Sequence, residues 1–389
     1  MSGPQNVITV YGLSTEGYRL ASSFALQNLV VYLIDESARL GFLFTDNLAR
    51  SYSRVDSIID DESLFSVQPI DEIISKTKYL FFTPRIRKIG PDAKMEINSK
   101  LSDAIRFLNK NSSLIHALPC GFNGNSENLN LIEHTTGLSA GKDYSYYYMP
   151  INPISPWNFR IILGSSDTTR DKFLESLLSG DDGQRIRVMS LHSAELSYIS
   201  FILRHYCGIA SMLETYKIYH EEMLKNEDEQ ISENISDLFI NDISNGLFDL
   251  RAIQNSLSGA GPLVFLVNGT VRSIESYTKY LTDNLKIILK KNNLKASKTR
   301  VLIGWTVDQH EMRGDRIEIL SILESKIKDY VTDVEKYDNA TFNGASSEKK
   351  LIFLGCSKHD YAEIPDLLPS NLDPLFIKAN PLCEILNVK

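Results

Sequence analysis

Residues 7–35 read VITVYGLSTEGYRLASSFALQNLVVYLID, and this stretch decides the fold. Residues 7–11 are an apolar, β-branched run, and GLSTEG (12–17) follows at once. Residues 18–28 carry apolar positions at helical spacing, and residues 29–34 form a second apolar run ending on Asp35. Strand, tight turn, helix, strand and acid is the order of a dinucleotide-binding βαβ unit. Gly12 permits the turn and Gly17 lets the helix approach the strand. Asp35, about 20 residues on, stands where a ribose-binding acid is expected. The middle glycine of the fingerprint is Ser14, where backbone must approach a pyrophosphate, and Glu16 adds a carboxylate to a helix N-terminus that would attract anions. Gly12 and Gly17 alone also satisfy a doubly wound sheet without any nucleotide, so both readings stand at this point.

The rhythm continues outward from this unit. Residues 71–84 read as a helix end followed by a strand at Tyr79–Phe82 and then Pro84. Residues 94–111 have helical periodicity. Residues 112–118, 144–150 and 159–165 read as strands, giving a mostly parallel sheet covered on both faces. The character changes near residue 190: residues 189–226 contain no proline, are apolar at helical spacing and predict one unusually long helix. An acidic loop and short helix (226–243) and a further helix (273–292) complete a helical block. Alternation resumes with a strand at 299–305, a helix at 317–330 and a strand at 349–355. The last thirty residues carry four prolines and predict turns and short pieces.

Bulk composition narrows the function. The net charge is −8, with 41 basic against 49 acidic residues, which argues against a nucleic-acid binder. No apolar stretch reaches a membrane span, and MSGPQN runs straight into the first strand, so neither a membrane anchor nor a signal peptide is expected. Cys120, Cys207, Cys356 and Cys383 are far apart and lack a CxxC pair, which fits reduced cytoplasmic thiols and no metal site.

Several segments, taken in order, resemble the UDP-glucose, GDP-mannose and UDP-N-acetylmannosamine dehydrogenase family. VITVYGLSTEG (7–17) is similar to its VxVxGLGYVG, and FFTPRIR (81–87) to its VPTP strand end, with Arg85 in place of threonine. HALPCG (116–121) resembles STVPxGT, and YYMPINP (147–153) stands at xxPEF. SAELSYISFI (193–202) resembles AELxKxxxN, SGAGPLVFLVNG (258–269) stands at the glycine-rich GFGGxCFxKD loop, and VLIGWTVDQHEMRGD (301–315) resembles a shortened VxxLGLAFKPxTDDxRES. The resemblance implies an α/β chain with an N-terminal Rossmann domain (1–186), a central helical dimerisation region (187–296) and a C-terminal Rossmann-like domain that takes a nucleotide sugar (297–389). It implies Gly12, Ser14, Gly17, Asp35, Pro84 and Arg85 at an NAD site weakened by Ser14 and Glu16. Gly259, Gly261 and Arg313 are implied at the substrate, and a homodimer through the 189–226 helix.

The family reaction is a two-step, four-electron oxidation of a sugar C6 alcohol. It needs a thiolate that takes up the aldehyde and later leaves. Here the positions of the family's reactive groups hold Val264 for the cysteine, Asn268 for the aspartate, Tyr198 for the lysine, Ile202 for the asparagine and Ile151 for the PEF glutamate. A slip of one or two residues at 258–269 still finds no Cys, Lys or Asp. The leading expectation is therefore a degenerate homologue with no catalytic residue of the family kind, acting as a regulator, a structural element or the partner of an active paralogue. The alternative is a thiol-free, NAD-dependent oxidation of a UDP- or GDP-sugar, with Tyr198 as the acid–base group.

Overall fold

A computed structural model describes residues 6–61, 65–154, 161–167, 170–179, 186–223, 236–337, 349–367 and 374–386. The acidic stretch 226–235 and the start of the 159–165 strand lie outside these residues. The chain separates into two compact units. The first comprises residues up to Ile202 together with Phe248–Gly259 and Asp308–Gly314; the second comprises Leu203–Leu247, Ala260–Val307 and Asp315 onward.

The first unit is built on a nine-stranded sheet. In chain order its strands are β1 (Ile8–Tyr11), β2 (Val31–Asp35), β3 (Leu40–Phe44), β4 (Val67–Pro69), β5 (Tyr79–Phe82), β6 (Ser113–His116), β7 (Ser145–Tyr148), β8 (Ile161–Ser165) and β9 (Ile186–Ser190). Their spatial order is β4-β3-β2-β1-β5-β6-β7-β8-β9. Strands β2, β1, β5, β6 and β7 run parallel, with Ile8 paired to both Val31 and Tyr79. The order reverses between β1 and β5, and crevices at such a switch point are where α/β sheets take ligands. Antiparallel β3 and β4 extend one edge, and β8 pairs antiparallel with β7.

The helices follow their local signals. Helix α1 (Thr15–Leu26) starts at Ser14, whose side chain caps the Gly17 N–H. It is followed by α2 (Asp46–Ser51), α3 (Val55–Asp60) and α4 (Ile70–Ile74). Helix α5 (Pro91–Ile105) opens on a proline at its first position. It stops before Asn111, which is left-handed at φ 63°, so the helical periodicity read to residue 111 overshoots. Helix α6 (Gly124–Thr136) ends on left-handed Gly137, and α7 (Lys172–Ser179) precedes β9. The core is the apolar face of the central strands, among them Val10, Leu33, Phe81 and Ile115, all fully buried.

Helix α8 (Leu191–Met223) runs for 33 residues, which is about 50 Å of rise, and α9 (Ile240–Ser244) and α10 (Leu247–Ser256) come after it. The glycine-rich stretch 258–269 is not a loop throughout: α11 (Pro262–Lys291) begins inside it, eleven residues before the expected start at 273. Pro262 has its φ preset for a first helical turn, and that outweighs Gly269 further along. The second unit carries a five-stranded sheet of β10 (Thr299–Gly304), β11 (Asp333–Lys336), β12 (Lys350–Gly355), β13 (Leu375–Lys378) and β14 (Ile385–Leu386), in the order β11-β10-β12-β13-β14. Its helices α12 (Asp315–Lys328) and α13 (Lys358–Leu367) complete the α/β pattern. Helix α13 falls where turns were expected; Pro365 lies inside it. Phe353 and Phe376, with ring centroids 5.5 Å apart, sit in the core of this sheet.

Candidate functional site

The glycine turn sits at the switch point of the first unit. Gly12 has φ +126°, and a Cβ there would lie 2.2 Å from the Thr83 carbonyl oxygen. A Cβ on Gly17 would lie 2.5 Å from the Gly12 oxygen. Both glycines are therefore required by the close approach of β1, α1 and the segment after β5, whatever lies outside. Ser14 is fully buried; its Oγ accepts from the Gly17 N–H at 3.0 Å and donates to the Thr83 carbonyl at 2.7 Å. Pro84 is buried against Gly12.

The acid that reaches this turn is Glu36, one residue beyond Asp35. Its carboxylate is fully buried and accepts the Leu13 N–H at 3.0 Å. Its other oxygen accepts the Arg85 backbone N–H and Nε, each at 3.0 Å. Burial by itself raises the Glu36 pKa, but the charge and hydrogen bonds of Arg85, with the Leu13 N–H, hold it below the ordinary range. Asp35 accepts from Arg85 Nη2 at 2.9 Å and from the Ser37 N–H at 2.8 Å. The Arg85 guanidinium thus spans both strand-end acids, a forked geometry that lysine cannot reproduce.

Residues 308–314 lie against the same turn. The Thr15 N–H donates to the His310 carbonyl at 2.8 Å, and the Thr15 hydroxyl donates to Asp308 at 2.5 Å. Glu16 accepts the Met312 N–H at 2.8 Å. The Ile86 N–H donates to the Met312 carbonyl at 2.7 Å. Arg87 donates to the Glu311 carbonyl at 2.9 Å and the Gln309 carbonyl at 2.6 Å. His310 Nε2 lies 2.7 Å from Asp56. Met312 is fully buried.

A second cluster holds the positions that the resemblance assigned to chemistry. Tyr198 donates its hydroxyl to Asp249 at 2.5 Å. Arg313 donates to both Asp249 oxygens at 2.7 and 3.1 Å, and to the Ile151 carbonyl at 2.6 Å. Asp249 is fully buried and Arg313 nearly so. Burial opposes the Arg313 charge, but Asp249 outweighs it and raises the guanidinium pKa above its ordinary value. Ile202, four residues after Tyr198 on α8, is fully buried, and Ile151 is buried. Arg313, assigned to the substrate by the resemblance, is here bonded to the chain's own groups. Asp249 was not singled out in the sequence; it is an isolated acid in the apolar run of α10, and that contrast was its signal. Val264 and Asn268 belong to the second unit, both half-buried within α11. Gly259 has φ +89° and open space at its Cβ position, and Gly261 precedes α11 with open space as well.

A cavity of about 60 Å³ opens among α5, α6 and α10, lined by His116, Pro119, Cys120, Asn128 and Phe248. That volume takes a few waters. Cys120 Sγ lies 3.6 Å from His116 Nδ1 and accepts from Asn128 Nδ2 at 3.4 Å. Burial pushes the His116 pKa down to about 4 and the Cys120 thiol up. A neutral thiol beside a neutral imidazole is not an activated nucleophile. All four cysteines are free. Among the described residues, no group of three or more His, Cys, Asp or Glu side chains is placed to hold a metal, and no helix is long and apolar enough to cross a membrane.

No family model matches the chain, and no curated protein matches it. Solved structures do. The chain is similar to UDP-D-ManNAc dehydrogenase from Pyrococcus horikoshii at 15% identity and a TM-score of 0.65, covering 98% of this chain and 97% of that one. It is similar to a UDP-glucose dehydrogenase from Pyrobaculum islandicum at 14% identity and a TM-score of 0.56, covering 97% and 90%. It is also similar to the UDP-N-acetyl-mannosamine dehydrogenase from Staphylococcus aureus at 15% identity and a TM-score of 0.59, covering 90% and 88%. The fold is that of the nucleotide-sugar dehydrogenases over almost the entire chain.

Proposed function

We propose that this chain is a nucleotide-sugar dehydrogenase homologue that does not carry out the four-electron oxidation of a sugar alcohol. One observation carries the reading: Tyr198 and Arg313 are bonded to buried Asp249 in a closed network. The side chains there that are free of charge, Ile151 and Ile202, are unable to move a proton or stabilise an alkoxide. The cysteine position is Val264, and the cysteine nearest the strand ends of the first unit, Cys120, is held as a neutral thiol. The role that remains is regulation, structure or partnership with an active paralogue, with a nucleotide sugar as its candidate ligand.

Self-association through α8 belongs to the same reading. Leu196 and Ile218 on that helix are exposed, Ile218 at 75%. Incubation with UDP- and GDP-sugars and NAD should give no NADH absorbance. Steady NADH formation would sink the reading. Trapping of an aldehyde product would replace it with the thiol-free oxidation in which Tyr198 serves as acid and base.

A further inference from the structure

The resemblance implies NAD at the glycine turn, and the residues of this chain do not fit it. A dinucleotide pyrophosphate needs unspent backbone N–H groups at the start of α1, a site free of negative charge, and an open crevice. The Leu13 N–H is spent on Glu36, the Thr15 N–H on the His310 carbonyl and the Gly17 N–H on Ser14. Glu36 and Glu16 add two carboxylates within this shell, and like charge disfavours phosphate there. Arg85, the cation that could have offset them, is held by Asp35 and Glu36.

We propose that segment 308–314 is the resident occupant of the dinucleotide cleft, with Glu36 supplying the anion, so that this protein does not bind NAD at the turn. The strap is held at both ends and in the middle: Asp308 on the Thr15 hydroxyl, the His310 carbonyl on the Thr15 amide, and the Met312 backbone on Glu16 and Ile86. A Cβ on Gly314 would lie 2.9 Å from the Ile86 carbonyl, so the segment leaves the turn in close backbone contact. This inference stands on the first unit alone and does not depend on the loss of the oxidation.

Hydrogen exchange of the intact protein, with and without millimolar NAD or NADH, tests it. The amides of Leu13 and Thr15 are expected to exchange slowly. Neither nucleotide should alter that exchange or move the Tm, since a ligand that binds only the folded state raises it. Asp308→Ala should speed exchange at Thr15 several-fold while leaving the β6 and β7 amides unchanged. Thr15→Val, which removes the same bond from the other side, should do likewise if Asp308→Ala fails to fold. Saturable NAD binding with added protection at Leu13 and Thr15 would overturn the proposal, as would rapid exchange of those amides in the wild type. NAD binding without NADH formation overturns this inference alone and leaves the loss of oxidation standing.

Discussion

The two α/β units end their first strands in comparable ways and secure them by different chemistry. After β1, the Leu13 N–H is taken by buried Glu36, which is ion-paired to Arg85. After β10, the Thr306 N–H is taken by buried Asp360 at 3.0 Å, whose other donors are the Thr306 and Ser357 hydroxyls, each at 2.5 Å. Both turns place a carboxylate of the chain at the end of a central strand, where α/β folds ordinarily meet a ligand. The first uses a charged partner, the half-buried Arg85; the second uses uncharged donors. A buried carboxylate paired with a cation is costly to remove, because the cation loses its partner, whereas one held by hydroxyls leaves only unsatisfied donors.

That contrast can be broken by measurement. Glu36→Ala is expected to cost about 3 kcal/mol, since Arg85 keeps Asp35 but loses its buried partner; the shift of the urea midpoint reads it. Asp360→Ala is expected to cost less, about 1–2 kcal/mol, as lost hydrogen bonds to neutral donors. Equal or reversed losses would show that the ion pair does not distinguish the turns. The smallest effect is with pH. The folded-state pKa of Glu36 lies below its unfolded value. Its stabilisation is therefore complete above the ordinary glutamate value of about 4.3 and is lost as the pH falls through the folded value. Acid unfolding curves of wild type and Glu36→Gln should converge in that window, with Glu36→Gln the flatter of the two.

Much of the fold could be read because its strands are apolar runs cut off by turn residues. Strands β1, β5 and β6 are buried at every position and β12 at all but its first, and such strands read as continuous hydrophobic stretches. Strands β3 and β4 escaped because they are an antiparallel edge addition, and β4 is only three residues long. Helix α11 begins earlier than its periodicity predicts, because the match to a glycine-rich loop masks the helix-start signal of Pro262. The site was legible only where it is local. A strand-end acid was expected, but whether Asp35 or its neighbour turns inward is decided by packing, and Glu36 is the one that does. Asp249 and Arg313 are 64 residues apart in the chain, and nothing in either neighbourhood announces the other. The sequence of the strap resembles a shortened family motif, and only the tertiary structure brings it to the first glycine turn.

The bond from the Met312 amide to Glu16 spans 296 residues, and this separation bears on how the protein is made. The chain emerges from the ribosome N-terminus first, at about 5–20 residues per second, and early domains ordinarily fold as they appear. Here the opening βαβ unit can assemble early but cannot be sealed until translation has passed residue 312. For roughly 15–60 seconds of synthesis, by that rate, the nascent turn bears an uncovered Thr15 amide, whose partner is the carbonyl of His310.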